Sequence, residues 1–95
     1  MKVIAIEKKV PGVKAEDFPP HLKDEAKKVW ELYQQGVIRE IYLRQDVTEA
    51  VLVLEVADIK EANKVLDSLP LVKKKLIAFE VIPLKAYPGF SRLFG

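Results

Sequence analysis

The sequence predicts an α+β domain of the ferredoxin-like type, with the element order β-α-β-β-α-β and a four-stranded antiparallel sheet. Two observations support this order. Runs of β-branched residues alternate with two segments of helical period, and a connection of about four residues joins the second and third runs. The 95 residues form one domain, residues 1–95, because a chain of this length encloses a single hydrophobic core.

The first half of the chain contains a strand, a loop and a helix. Residues 2–8 are rich in β-branched side chains and predict the first strand, whereas residues 11–20 hold three of the six prolines and predict an extended loop. Residues 21–35 predict a helix, since apolar side chains recur there at helical spacing, at Leu22, Ala26, Val29, Trp30 and Tyr33. Pro20 suits the first helical turn and Gly36 suits the C-cap.

The second half contains a hairpin, a second helix and a last strand. Residues 37–45 and 50–57 predict two antiparallel strands, because the connection between them is too short for a crossover. Asp58 is suited to cap the second helix, and Glu61, three residues further on, is expected to complete a capping box. The apolar stripe of this helix consists of Ile59, Ala62, Val65, Leu66 and Leu69. Pro70 ends the helix, and residues 76–84 form the fourth strand.

Right-handed crossovers place both helices on one face of the sheet, and alternation sorts the strand residues between the two faces. The set predicted beneath the helices is Ile4, Ile6, Ile41, Leu43, Leu52, Leu54, Val56, Ile77, Phe79 and Val81. The set predicted on the opposite, helix-free face is Val3, Ala5, Glu7, Ile38, Glu40, Tyr42, Arg44, Val51, Val53, Glu55, Ala78, Glu80 and Ile82. Two arrangements are compatible with a face that mixes apolar and charged residues. The face packs against the sheet of a second copy and leaves a polar-lined cavity between the two sheets, or it forms an apolar interface whose charged residues stay solvated at the ends of the sheet.

Composition excludes several classes of function. With 49% apolar and 32% charged residues the chain is not disordered, and a formal net charge of +2 gives no reason to expect a nucleic-acid or membrane-surface partner. With no cysteine and one histidine, the chain offers neither a thiolate nor a multi-histidine metal site. Nucleotide-binding glycine loops and the strand aromatics of an RNA-recognition motif are also missing. We expect a cytoplasmic protein, since no signal peptide or long apolar stretch is seen.

The C-terminal tail is unusually apolar. Tyr87, Phe90, Leu93 and Phe94 place four large apolar groups in the last nine residues. Such a terminus is expected to dock, either on its own sheet edge or across a subunit boundary.

Several short motifs resemble the muconolactone isomerase family. These are SLPL at residues 68–71 and VIPLKAYPGF at residues 81–90, together with Arg39 and Tyr42 in the second strand, Glu55 near the end of the third, and Glu80 in the fourth. The likeness extends over residues 20–90. The chain departs from the family where Glu40 follows Arg39, since the classical isomerases have a histidine there.

The resemblance implies a dimeric α/β barrel, built from two ferredoxin-like subunits packed sheet to sheet and often assembled into larger rings. It also implies catalysis without metal or organic cofactor, in which a double bond moves within a butenolide ring. A protein of this kind has itself as a partner and takes a small carbonyl or carboxylate ligand.

Such a reaction requires a base that removes and returns a proton, and positive charge or a hydrogen-bond donor near the developing enolate. Glu40, Glu55 and Glu80 are the candidate bases, and Tyr42 is a candidate donor to the carbonyl oxygen. The alternative to a catalytic role is, for each glutamate, a solvated or ion-paired charge at the end of a strand. For Tyr42 the alternative is a contact in a subunit interface.

Three further residues are candidates for binding the substrate. Arg39 or Arg44 is suited to hold a carboxylate in a bidentate grip. In a regular strand Arg39 lies on the opposite face from Tyr42, so its participation requires a β-bulge. His21, at the start of the first helix, is a candidate neutral donor or base; the alternative is a surface residue.

Two functions stay open from the sequence: a cofactor-independent isomerase, and a non-catalytic ligand-binding or oligomeric scaffold. If the protein is a catalyst, we expect at least one of Glu40, Glu55 and Glu80 to be desolvated in a cavity. If it is a scaffold, we expect these glutamates to be ion-paired or solvated.

Overall fold

A computed structural model describes all residues, Met1–Gly95. The strands are β1 (Lys2–Lys9), β2 (Ile38–Leu43), β3 (Ala50–Glu55) and β4 (Ile77–Pro83), and the helices are α1 (Leu22–Gln34), α2 (Ile59–Asp67) and the one-turn α3 (Pro70–Lys73). The strands form one antiparallel sheet in the order β2-β3-β1-β4. The predicted α+β class and four-stranded antiparallel sheet are therefore confirmed.

Helix α1 begins and ends where the sequence indicates. Two 3-10 turns, Ala15–Asp17 and Pro19–His21, occupy the predicted proline-rich loop and lead directly into the helix. Gly36 follows the helix with φ at 78°, in the left-handed region that only glycine adopts without strain. Its N–H donates to the carbonyl of Tyr33 at 3.1 Å, so the chain leaves the helix through a hydrogen-bonded turn.

Helix α2 is capped by Asp58, whose Oδ1 accepts the backbone N–H of Glu61 at 2.8 Å. The Glu61 carboxylate reaches back to the N–H of Ala57, one residue before the position that the capping box predicts. Pro70 lies after the end of α2 and also begins the additional helix α3, because proline at the first helical position loses no hydrogen bond.

The core lies between the sheet and the helices, and its position corrects the predicted faces of β1. Val3 and Ala5 are fully buried and pair with Leu54 and Leu52, whereas Ile4 is only half-buried. Directly opposed residues of paired strands share a face, so Val3, Ala5 and Glu7 face the helices. Both alternating sets of β1 contain aliphatic residues, which is why alternation alone did not identify the buried one.

Strand β2 carries a second correction. Ile38, predicted on the helix-free face, is 1% exposed in the core because the pairing register with β3 shifts between Ile38 and Glu40. This bulge leaves Ile38 and Ile41 opposite the core residues Leu54 and Leu52, and it places Glu40 and Tyr42 opposite Val53 and Val51.

The helix-free face of the sheet has an apolar centre and polar margins. The half-buried residues at its centre are Ile4, Ile6, Val51, Val53 and Ile82. Glu40 and Tyr42 lie at the β2 edge of this face and Glu80 at the β4 edge. None of the helices is both long enough and apolar enough to traverse a lipid bilayer.

Candidate functional site

Each of the three glutamates predicted as bases has a polar partner of its own. The Tyr42 hydroxyl donates to Glu40 Oε1 at 2.7 Å, and this bond together with the charge of Glu40 raises the pKa of Tyr42. The N-terminal ammonium of Met1 donates to Glu55 Oε2 at 2.8 Å and lowers the pKa of Glu55. Lys8 Nζ lies 3.3 Å from Glu80 Oε1. Within the single chain none of these carboxylates is enclosed in a cavity.

The three glutamates also lie apart from one another. Glu40 is on one edge strand and Glu80 is on the other. The two strands are separated by three strand spacings, which is a distance of at least about 14 Å. Glu55 lies at the end of β3, beside the chain terminus. The helix-free face of a single chain therefore does not bring the predicted bases together, and their catalytic role stays a prediction that would require a second copy.

The predicted arginines and histidine lie at separate places. Arg44 forms a bidentate pair with Asp46, at 2.9 Å from Nε and 2.5 Å from Nη2, and this pairing lowers the pKa of Asp46. A second Arg44 nitrogen lies 3.7 Å from Glu49 Oε1. Half-buried His21 occupies the N-cap position of α1, and its side chain forms no cap hydrogen bond. Arg44 and His21 are thus outside the groove described next.

The register shift between Ile38 and Glu40 is the bulge that participation of Arg39 requires, and Arg39 lines one open groove together with Glu40 and Tyr42. This edge groove has a volume of about 470 Å³ and runs between α1 and the free edge of β2. Its lining consists of Ala26, Val29, Trp30, Tyr33, Arg39, Glu40, Ile41 and Tyr42. The Trp30 and Tyr33 rings stack with their centroids 6.0 Å apart, and Arg39 Nε donates to the Gly36 carbonyl. The groove is largely apolar and open to solvent.

A second and more enclosed site lies beneath α1. This carboxylate cavity, of about 180 Å³, is bounded by α1, the start of α3 and the helix-covered face of the sheet. Glu7 of β1 and Glu25 of α1 are its acidic residues, and the remaining lining is apolar: Val29, Ile41, Leu43, Ala50, Leu52, Leu69, Leu71, Ile77 and Phe79. A neighbouring cavity of about 310 Å³ shares Glu7 and Ile77 with it and extends to Glu49 and Phe18.

Backbone hydrogen bonds fix one oxygen of each acid. Glu7 Oε1 accepts the N–H of Ala50 at 3.0 Å, and Glu25 Oε1 accepts the N–H of Leu71 at 2.9 Å. The Leu71 N–H belongs to the first turn of α3, where the N-cap residue Leu69 supplies no side-chain acceptor. The second carboxylate oxygen of each residue has no protein hydrogen-bond partner and is available to a ligand.

Burial raises the pKa of both acids. For Glu7, desolvation is the main cause, the hydrogen bond from Ala50 opposes it, and the charge of Glu49 adds to it. For Glu25, desolvation is again the main cause, the bond from Leu71 opposes it, and the charge of Glu7 raises the pKa further. The charge of Glu7 therefore makes ionisation of Glu25 less favourable.

Sequence reasoning did not select this pair, although part of the signal was present. Glu25 is three residues after Leu22 and four before Val29, which places a carboxylate within the apolar stripe of α1. Glu7 follows Val3 and Ala5 at strand spacing and shares their helix-covered face, whereas alternation in the sequence predicted it on the helix-free face. No group of three His, Asp or Glu side chains is arranged to hold a metal ion.

The fold and the carboxylate cavity together define a class: a ferredoxin-like α+β domain with two acidic side chains enclosed between the sheet and its first helix. The model of one protein family, muconolactone delta-isomerase, matches residues 3–89. The chain therefore belongs to the muconolactone delta-isomerase family, and the resemblance seen in the sequence is confirmed.

Solved structures show the same fold. Muconolactone isomerase, in a crystal structure at 3.3 Å resolution, superposes with a TM-score of 0.76 and 20% identity over 93% of this chain and 92% of that one. A second structure is that of 5-chloro-2-hydroxyhydroquinone dehydrochlorinase from Burkholderia phenoliruptrix AC1100, in complex with 2,5-dihydroxybenzoquinone. It superposes with a TM-score of 0.66 and 18% identity over 94% of this chain and 98% of that one. No curated protein matches the chain significantly by sequence.

Proposed function

We propose that this chain is a cofactor-free acid–base catalyst that moves or removes a proton on a small oxygenated ring compound. The observation that carries the proposal is the placement of Glu7 and Glu25 in one cavity beneath α1, each with an oxygen free of protein partners. Paired carboxyl groups with different protonation states supply a base and an acid at once.

The proposed isomerisation uses both carboxyl groups. The ionised carboxylate removes a proton from the carbon next to a carbonyl, and the electron pair moves onto the carbonyl oxygen as an enolate. The protonated partner donates a hydrogen bond to that oxygen, so the developing charge is stabilised without a metal or an arginine. The first carboxyl then returns its proton to a different carbon of the conjugated system, which leaves the double bond shifted and the protein unchanged.

The comparisons support this class of reaction. Similar folds carry the names of a delta-isomerase and of a dehydrochlorinase. A double-bond shift and a loss of HCl are both reactions that a base can start by removing a proton. The cavity is also of suitable size, because an apolar cavity of about 150 Å³ admits a molecule as large as benzene. An unsaturated lactone or a quinone-like ring is therefore the ligand class that we propose.

The test replaces each acid by its amide. Glu7→Gln and Glu25→Gln keep an oxygen for the Ala50 and Leu71 N–H groups, so the local hydrogen bonds survive. NMR of a butenolide in deuterated water then reports proton exchange and double-bond migration. The variant at the base position should lose roughly 10²–10⁴-fold in rate, whereas the amide at the acid position still donates a hydrogen bond and should retain part of the activity. Asp24→Asn, at an exposed acid in the same helical turn, is the matched control.

Two results would redirect the proposal. Full activity in both amide variants removes Glu7 and Glu25 from the mechanism. If Glu40→Gln, Glu55→Gln or Glu80→Gln abolishes activity instead, the chemistry lies on the helix-free face, as the sequence predicts. Tyr42 would then be the candidate hydrogen-bond donor, and the candidate substrate-binding residues would be Arg39, Arg44 and His21.

A non-catalytic scaffold is the second candidate function. It is favoured by the partners of the acids, because Glu40, Glu55 and Glu80 each have a polar partner and Glu7 and Glu25 each satisfy a backbone N–H. A wild-type protein that neither binds a butenolide nor exchanges its protons would support this candidate.

We further propose that the chain associates with itself through the helix-free face. The centre of that face is apolar and uncovered in one subunit, and packing it against the same face of a second copy would bury it. Sedimentation of the wild-type protein and of Ile4→Lys, which places a charge in the centre of the face, tests this association. A sedimentation coefficient that is the same for both would contradict it.

A further inference from the structure

The loop cavity is the space of about 310 Å³ at the end of the sheet where β1 ends and β4 begins. Parts of the proline-rich loop and of the β2–β3 connection form its other walls. Glu7 and Ile77 line both this cavity and the carboxylate cavity, so a molecule bound beside Glu7 has room to extend from one into the other. The full lining consists of Glu7, Lys9, Val10, Val13, Ala15, Phe18, Thr48, Glu49, Leu76 and Ile77.

Glu49 is a buried acid that the proposed chemistry does not use. Its exposed fraction is 8%, and its carboxylate accepts no hydrogen bond from the protein. The nearest cation is Arg44, whose Nη1 lies 3.7 Å from Glu49 Oε1 and whose other nitrogens bind Asp46. Desolvation raises the pKa of Glu7, and the charge of Glu49 raises it further, so the two carboxylates lie within electrostatic reach of each other. Glu49 is therefore a desolvated acceptor for a ligand in the loop cavity.

The two adjoining cavities are acidic. Glu7, Glu25 and Glu49 line them, and the one cationic side chain on either lining is Lys9, which is exposed. An ionised carboxylate only accepts hydrogen bonds, so it binds groups that donate them. A negatively charged group is repelled instead, and the repulsion is strong where water screens little. The lining therefore favours a ligand substituent that donates hydrogen bonds and carries no negative charge.

We propose that the loop cavity is a specificity subsite for a hydrogen-bond-donating substituent, such as a hydroxyl group, on the ring that the carboxylate cavity holds. Glu49 is the specificity-determining residue, because it accepts the hydrogen bond of that substituent and repels a carboxylate in the same place. The subsite rests on the proposed function, since it requires a ring bound between Glu7 and Glu25. It narrows the substrate to unsaturated lactones or quinone-like rings without a carboxylate, whereas the resemblance to the family leaves carboxylate ligands open.

Three butenolides that differ in one substituent test the subsite. The first is unsubstituted, the second carries a hydroxyethyl group, and the third carries a carboxymethyl group of nearly the same size. Saturation-transfer NMR titrations of the full chain at neutral pH measure the three dissociation constants, and they resolve each compound from its isomer if turnover occurs. The wild type should bind the hydroxyethyl compound at least about tenfold more tightly than the carboxymethyl compound.

Glu49→Gln keeps an oxygen acceptor and removes the charge, so it should reduce this preference by about tenfold or more. The readout is the ratio of two affinities within one variant, which a general loss of folding does not imitate. Glu16→Gln is the matched control, because Glu16 is exposed in the 3-10 turn of the proline-rich loop and lines neither cavity. It should keep the wild-type ratio.

The outcomes separate the subsite from the proposed function. A wild type that binds the carboxymethyl compound as tightly as the hydroxyethyl compound, or more tightly, overturns the subsite and leaves the proposed chemistry in place. A preference that persists in Glu49→Gln, or that falls equally in Glu16→Gln, removes Glu49 as its cause and overturns the proposal as well. If none of the three butenolides binds, the proposed function fails, and the subsite fails with it.

Discussion

Glu25 contributes to stability in two opposing ways, and substitutions can separate them. Its Oε1 accepts the Leu71 N–H at 2.9 Å, which stabilises the first turn of α3, while its charge is held in a partly desolvated cavity beside Glu7. Glu25→Gln removes the charge and keeps an acceptor. Glu25→Leu removes both.

The expected effects differ in size and in their dependence on pH. Burial raises the pKa of Glu25 in the folded state, so the folded protein holds this proton more tightly than the unfolded chain does. The free energy of unfolding therefore falls as pH rises from the ordinary pKa of a glutamate through the raised one. Glu25→Gln lacks this loss and should gain stability relative to the wild type over that interval. Glu25→Leu leaves the buried Leu71 N–H unpaired, which costs about 1–3 kcal/mol at acidic pH, where the wild-type carboxyl is neutral.

Thermal unfolding followed by circular dichroism measures both effects. In a domain of this size, about 1 kcal/mol corresponds to a shift in Tm of about 4–8 °C, so the leucine variant should melt at least about 4 °C below the wild type near pH 4. The difference between Glu25→Gln and the wild type should grow in favour of the variant as pH rises above the ordinary pKa of a glutamate. Asp24→Asn, exposed in the same turn of α1, controls for the loss of a negative charge near the helix N-terminus. A Glu25→Gln difference that does not change with pH would refute the desolvation argument.

Three further predictions concern the fold that positions the cavity. Leu54→Ala, at a side chain with no exposed surface in the centre of the core, should lower the free energy of unfolding by about 2–5 kcal/mol in a urea titration. Asp58→Ala should cost about 1 kcal/mol through loss of the α2 cap, and Asp58→Asn should restore most of it in the same titration. Gly36→Ala, at φ 78°, should destabilise by about 1–2 kcal/mol because alanine is strained in the left-handed region; a melting temperature equal to the wild type would show that the turn relaxes.

The order of elements followed from local signals, whereas the faces of the strands did not. The Asp58 cap, the Gly36 turn and the period-2 runs each depend on neighbours in sequence, and the structure has them where the pattern indicates. In β1 both alternating sets are aliphatic, so only the pairing of Val3 with Leu54 reveals which set is buried. The bulge after Ile38 is likewise a property of two paired strands.

The candidate site was less accessible to sequence analysis for the same reason. Glu7 and Glu25 are 18 positions apart in sequence and line one cavity only because α1 packs on the helix-covered face of the sheet. Their partners, Ala50 and Leu71, are more than 40 positions away. A carboxylate within an apolar stripe, as Glu25 is, was the one local sign of a buried acid.

The edge groove and the carboxylate cavity are separated by little more than two side chains. Val29 and Ile41 line both sites, the groove on one side and the cavity on the other. Close-packed interiors transmit displacement, so a group bound in the groove would limit the freedom of both side chains and hence the shape of the cavity. A ligand that fills the cavity would in turn support the wall that the two sites share. Binding in the groove and proton transfer in the cavity would therefore be coupled through Val29 and Ile41.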